Sequence, residues 1–262
     1  ATSIAYARAE GLPLAIRNGG HNALNFGNID DGVVIDLSKL DQVELLGDDR
    51  VRIGGGATWG PAAAELGKHG LAISSGDTIS VGVGGLTQVG GFGWMLRKHG
   101  LALDNLLAAE VVTAAGDVVR APTTEKEDLF WALRGGAGNF GVVTAFEFQA
   151  TPVTNVHFGM IEYALEDLDQ LLASWAQVMR NAPDELTTTL ALRPAFGPFP
   201  AAAILFVCLD GDDTSALDSL RAIGTALAEA SAVVINGAEH YLDRNDFLTC
   251  AAAPVSAPDG RL

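Results

Sequence analysis

The sequence predicts an α+β fold in two parts, and three observations carry that expectation. Up to residue 150, short apolar runs rich in β-branched residues alternate with helical patterns and glycine clusters. After Thr151-Pro152-Val153 the pattern becomes strand, helix, strand, strand, helix, strand, an order that gives an antiparallel sheet with helices on one face. Hydrophobic residues make up 48% of the 262, which supports packed cores and excludes global disorder. The expected division is one domain over 1–152 and a second over 153–262.

The elements follow in order. A helical pattern (Ile4, Ala5, Ala7, Arg8) opens the chain, and Gly11 stops it. Strands are expected at 12–16 and 32–37. Runs 43–46 and 51–55 flank Gly47-Asp48-Asp49-Arg50 and read as a hairpin. A helix begins near Pro61 and ends at Gly70, after Lys68 and His69. A short strand at 71–75 leads into the glycine-rich stretch 76–93. Strands 107–113 and 118–120 pair across Ala115-Gly116-Asp117. Thr124 and Glu127 have capping-box spacing for a helix through Arg134. A strand at 142–148 closes the first half. In the second half, strands are expected at 156–161, 187–192, 202–209 and 233–235, with helices at 168–179 and 216–228. Leu168, Leu171, Leu172, Trp175 and Met179 fall at helical spacing and read as core.

The net charge of −16, from 32 acidic and 16 basic residues, argues against a nucleic-acid partner, which needs clustered Lys and Arg. An anionic ligand would have to be held by backbone N–H groups and helix N-termini rather than by a basic patch. No run approaches the ~18 apolar residues of a membrane span, so no membrane partner is expected. With no signal-peptide pattern, the expected location is cytoplasmic. The chain opens without Met inside a helical pattern, and reads as a piece of something longer. Cys208 and Cys250 have no metal or redox spacing and are expected to be thiols. No His or Cys pair has metal-ligand spacing, so no metal is expected.

Arg17-Asn18-Gly19-Gly20-His21-Asn22 follows the first strand directly. Consecutive glycines let backbone N–H groups approach an anion, and the histidine sets an imidazole beside it. Histidine is the side chain whose neutral, nucleophilic form is available near pH 7. Gly136-Ala137-Gly138-Asn139-Phe140-Gly141 matches G-x-G-x-x-G, yet a helix precedes it and a strand follows. A dinucleotide fingerprint needs the reverse, so a nicotinamide site is disfavoured. Thr78 and Ser80 lack a nucleophile elbow and read as satisfying local backbone. His69 and His99, each in Lys-His-Gly, are explained by helix C-terminal dipoles. His157 and His240 have no motif around them.

Four glycine-rich pieces stand in order: 17–22, 54–56, 82–93 and 135–141. With Val81-Gly82-Val83-Gly84-Gly85, Gly91-Phe92-Gly93-Trp94, Asp104-Asn105-Leu106 and Gly138-Asn139-Phe140-Gly141-Val142, the chain resembles the vanillyl-alcohol-oxidase/PCMH flavoprotein superfamily. More narrowly, it is similar to the bacterial berberine-bridge-enzyme-like FAD-linked oxidases. The match runs from residue 11 to about 150 and becomes diffuse beyond. The resemblance implies a PCMH-type FAD-binding domain over 1–152, lacking its N-terminal piece, and the first part of a substrate domain over 153–262. It implies FAD joined covalently to His21, with Arg17, Asn18, Gly19, Gly20, Asn22, Gly76, Val81, Gly82, Gly85, Gly93, Asn105, Asn139, Gly141 and Val142 lining the cofactor. Thr78 stands where doubly linked members carry a flavin-bonding cysteine, so a single link is expected. Val89 stands where a third glycine is usual. Val81 occupies the oxygen-gate position, where valine goes with access for O₂. The implied reaction is hydride transfer from an alcohol, sugar or amine carbon to flavin N5, with reoxidation by O₂ to H₂O₂. The partners are thus a small-molecule substrate and O₂. The catalytic groups are expected beyond Leu262. A non-catalytic flavin-binding or scaffold protein, or a dehydrogenase with another acceptor, is the alternative.

Overall fold

The computed structural model describes residues 1–153 and 155–235. Helix α1 (Thr2–Ala9) turns at Gly11, φ +64°, into β1 (Leu14–Arg17), which pairs in parallel with β2 (Val33–Asp36). Ile4, Leu37, Val112 and Val142 bury a small cluster beside this pair. The hairpin of β3 (Val43–Gly47) and β4 (Arg50–Gly54) turns at Asp48 and Asp49, with φ of 54° and 56°. Two left-handed residues in succession match the right-handed twist of the strands, and aspartate tolerates that region better than most residues.

Helix α2 (Trp59–Gly67) starts two residues before Pro61, and β5 is only Leu71–Ala72. The expected strand 71–75 stops there because its partner is equally short. Within the glycine-rich stretch the chain forms α3 (Val83–Gln88), which the glycines concealed, and then α4 (Leu96–His99). Strands β6 (Leu106–Val112) and β7 (Val118–Pro122) precede α5 (Glu127–Gly136). The capping box does not form: Lys126 caps α5 at φ 53°, and no side chain accepts from the first turn. A 3₁₀ turn over Ala137–Phe140 leads into β8 (Val142–Gln149). Sheet order is β3-β4-β8-β6-β7, all antiparallel, while β5 pairs with β9 (Thr151–Pro152). One face of the large sheet packs Ile53, Val111, Phe146 and Phe148 against Trp59, Leu66 and Leu133 of the helices.

The second sheet has the order β11-β12-β10-β13 and is antiparallel throughout. Its strands are β10 (Asn155–Ala164), β11 (Leu186–Arg193), β12 (Ala202–Asp210) and β13 (Ala226–Ile235). Helices α6 (Leu168–Asn181) and α7 (Ser215–Arg221) cover one face around Tyr163, Leu171, Leu205 and Leu220. The helix expected over 216–228 is cut short. Ala226 already pairs with Tyr163 of β10, and nine ladder pairs override the helical propensity of an alanine-rich run. Strand β12 is buried along its whole length, as a strand covered on both faces must be.

The other face of this sheet meets the first half. Trp94 sits edge-on to Phe158, ring centroids 4.9 Å apart, beside Phe206 and Met95. Cys208 lies in this layer as a free thiol, and burial pushes its pKa up to about 12. At the rim, the Arg97 guanidinium donates to the carbonyls of Ala182 (3.0 Å), Pro183 (2.8 Å) and Leu186 (2.6 Å). His99 Nε2 lies 2.7 Å from the buried Asp210 carboxylate, and Lys98 Nζ lies 3.2 Å from it. His99 therefore reaches across to β12 rather than serving only its own helix end. Burial alone would raise the Asp210 carboxyl. Hydrogen bonds from His99 and Lys98, with their charge, outweigh it and hold the group below the ordinary carboxylate value. His240 and Cys250 lie outside the described residues.

Candidate functional site

The site is built where the loop after β1 meets the loop before α3. A Cβ on Gly19 would stand 2.5 Å from Gly82 N and 2.9 Å from Ser80 O, so the two backbones touch because neither position carries a side chain. Gly20 follows at φ +75°, a region glycine enters freely, and turns the chain over the Arg17 guanidinium. The Asn18 amide reaches under the contact and donates to Gly55 O, leaving its Oδ1 buried without a partner. Beyond His21 the loop is folded by its own amides. Asn22 Oδ1 accepts from Leu24 N at 2.8 Å, and Asn28 donates to Asn25 Oδ1 at 2.6 Å.

Between these loops and the 3₁₀ turn after α5 lies a cleft of about 660 Å³. Ten of the expected site residues line it: Arg17, Asn18, Gly19, Gly20, His21, Asn22, Gly82, Gly85, Asn139 and Gly141. The glycines leave room, since a Cβ on Gly85 would meet nothing within 4 Å. Among the described residues no Asp or Glu lines the cleft, although the chain carries 32 of them. Arg17 supplies its cation, and Asn18, Asn22, Asn25, Asn28, Gln88 and Asn139 supply amides. That donor set fits an anionic, hydroxylated ligand such as the diphosphate and ribityl chain of FAD. Asn18 Oδ1 is buried against Gly82 without a partner, so this side chain packs the two loops together and its acceptor does not face the cleft.

The remaining five expected residues stand off the lining. Val81 is half-buried against the first core, next to Gly82. Gly76 lies under Leu86, where a Cβ would approach Cδ1 to 2.6 Å, and Gly93 lies against the Ser75 carbonyl. Asn105 spends its amide on the carbonyls of His99 (3.0 Å) and Leu101 (2.9 Å). Val142 is buried in the small cluster with Ile4 and Leu37. The G-x-G-x-x-G segment sits between α5 and β8, the reverse of a dinucleotide fingerprint.

Ser80 and Thr78 are placed otherwise than the sequence suggests, each bonding a side chain. Ser80 does not satisfy local backbone with its hydroxyl: Oγ lies 2.9 Å from His21 Nε2. Asn25, Phe26 and Asn28 also line the cleft, and only the asparagine-rich composition of 18–28 hints at them. Thr78 donates to Asp77 Oδ1 at 3.0 Å. Among the described residues no group of three His, Cys, Asp or Glu is placed to hold a metal, and no helix is long and apolar enough to cross a membrane.

Comparisons with known proteins agree with this geometry. A family profile described as an FAD binding domain matches residues 1–122. The (R)-6-hydroxynicotine oxidase of Paenarthrobacter nicotinovorans is 35% identical over 239 residues, 89% of this chain and 52% of that protein. The chitooligosaccharide oxidase of Gibberella zeae is 36% identical over 188 residues, 70% of this chain and 38% of that one. The crystal structure of 6-hydroxy-D-nicotine oxidase from Arthrobacter nicotinovorans superposes with a TM-score of 0.83 at 31% identity, covering 97% of this chain and 56% of that one. The chain spans about half the length of the two hydroxynicotine oxidases and less of the chitooligosaccharide oxidase.

Proposed function

The chain belongs to the berberine-bridge-enzyme-like FAD-linked oxidases, with a PCMH-type FAD-binding domain, and from that premise we propose that it serves an oxidase that holds FAD covalently through His21. The reaction is removal of a hydride from an alcohol, sugar or amine carbon of a small molecule, with electrons passed on to O₂. The observation that carries this reading is the glycine-lined cleft, with no carboxylate among its described lining residues and the His21 imidazole in its wall. The named relatives, oxidases of 6-hydroxynicotine and of chitooligosaccharides, favour an oxidase over a scaffold.

Bound FAD supplies the hydride acceptor and the route by which electrons reach O₂ as H₂O₂. The protein's part is to bind and orient it. Arg17 and the Asn22 amide are the donors available to the diphosphate and ribityl chain, while the Asn18 and Asn139 amides donate to Gly55 O and Gly136 O and shape the wall. In a chain of net charge −16, exclusion of carboxylates from the described lining of the cleft removes the nearest source of repulsion. His21 supplies the nucleophilic nitrogen for attachment. Thr78 has a hydroxyl where a second attachment requires a thiol, so the link is single. Half-buried Val81 is the oxygen gate, a side chain small enough to leave O₂ a path.

Acid precipitation tests the reading. Protein made with ample riboflavin is expected to give a yellow pellet, and His21→Ala to release its flavin into the supernatant while still binding it at neutral pH. After reduction by dithionite, re-aeration is expected to restore the oxidised spectrum within the mixing time. Colourless protein would overturn flavin binding, and reoxidation over minutes would point to a dehydrogenase.

A further inference from the structure

Among the described residues, Ser80 alone hydrogen-bonds the His21 ring, across two loops fifty-nine positions apart. Its own position is fixed from both sides. Gly60 N donates to Ile79 O at 2.9 Å and Trp59 N to Val81 O at 3.0 Å, so the first turn of α2 clamps the residues flanking Ser80. Val81 N closes the turn onto Thr78 O at 3.2 Å. Gly19 packs on the Ser80 carbonyl, so the loop carrying His21 is registered against the same turn. The hydroxyl is thus a fixed post and the imidazole is tethered to it by Nε2. Among the described residues no group bonds Nδ1.

This inference rests on the covalent reading above. We propose that Ser80 is a positioning residue for flavin attachment: by holding Nε2 it presents Nδ1 as the ring nitrogen that bonds the flavin methyl carbon. Before attachment, Nε2–H donates to Ser80 Oγ, which leaves the lone pair on Nδ1. Attachment breaks one methyl C–H bond and forms the Nδ1–C bond. The methyl proton and the Nε2 proton depart, and two electrons left on the ring pass with two protons to O₂, giving H₂O₂. Nε2 then carries a lone pair, and Ser80 turns its O–H to donate to it. A hydroxyl can serve both states because it is donor and acceptor at once. Alanine can serve neither.

The test uses the full chain made under riboflavin limitation and then given FAD and air. Flavin retained in the acid-precipitated pellet is followed in time, with native flavin binding measured separately by fluorescence quenching. Ser80→Ala is expected to bind FAD with its affinity within threefold of the unaltered chain, yet to attach it at least tenfold more slowly. Ser80→Thr is expected to restore the rate. NMR of the flavin peptide from the unaltered chain should show substitution at Nδ1. Equal rates in the unaltered chain and Ser80→Ala would overturn the role of Ser80 and leave the covalent reading standing. Attachment at Nε2 would overturn it whether or not Ser80→Ala folds. An unaltered chain that binds FAD and never attaches it would sink the covalent reading itself.

Discussion

At the scale of single residues, the cleft depends on what is missing from two of them. Gly19 and Gly82 let the loops touch, and the atoms that a Gly19 Cβ would meet are backbone, with no flexible side chain to move aside. Gly19→Ala is therefore expected to cost about 1–3 kcal/mol, the range for forcing extra carbon into packed structure. FAD retention should fall with it, because the displaced segment carries His21. Urea unfolding and flavin content measure the two effects, and unchanged values for both would show that the contact is not needed. The glycines and His21 were legible in the sequence as a loop after a strand. Their contact with Gly82 was legible only through the order of the motifs. The Ser80 partnership was not legible at all, since a lone serine in a turn reads the same whether it bonds its own backbone or a distant imidazole.

At the scale of elements, the connection between the halves is made by the short helix α4. Its Arg97 donates to the carbonyl of Ala182, which caps α6, and to those of Pro183 and Leu186, where the chain enters β11, and hydrogen bonds of this charged kind contribute about 1.5–3 kcal/mol each. The Asp210 carboxyl, held below its ordinary value, binds fewer protons folded than unfolded. Its contribution is complete above the unfolded carboxylate pKa of about 3.9 and is lost as pH falls through the folded value. Asp210→Asn is expected to lower stability at pH 7, and the gap from the unaltered chain should narrow progressively as pH falls below about 3.9. Urea unfolding at pH 7 and along an acid series checks this, and a gap that does not narrow in acid would assign the loss to something other than the charge. Sequence pattern located α4 only as a Lys-His-Gly helix end, because a dipole argument sees one element at a time. The boundary error after α7 had the same origin: 226–228 reads as the end of a helix, and only 233–235 as strand, until β10 is there to pair with the whole of 226–235. The central strand β12 needed no partner to be seen, since its apolar run is continuous.

For the whole molecule, the sign of the charge is the governing quantity. A diphosphate approaching a chain of net charge −16 meets a repulsive far field and a local cleft with no carboxylate among its described lining residues. Screening weakens the far field first, the Debye length being about 10 Å at 0.1 M salt. Raising ionic strength from about 0.02 M to about 0.3 M should therefore leave FAD binding to His21→Ala unchanged or tighter. Fluorescence titration at the two strengths checks it, and binding weakened tenfold would mean that basic contacts dominate instead. Both the fold class and the position of the cleft followed from patterns within segments. How the two halves close on each other did not, because that surface is made of Trp94, Phe158 and Phe206, which as sequence are three ordinary core residues. In that same layer lies Cys208. Peroxide attacks the thiolate, and only an accessible one. A protein whose proposed turnover releases peroxide next to its own backbone thus keeps this sulfur protonated and sealed between its halves, so that the closure of the halves is also its protection against its own product.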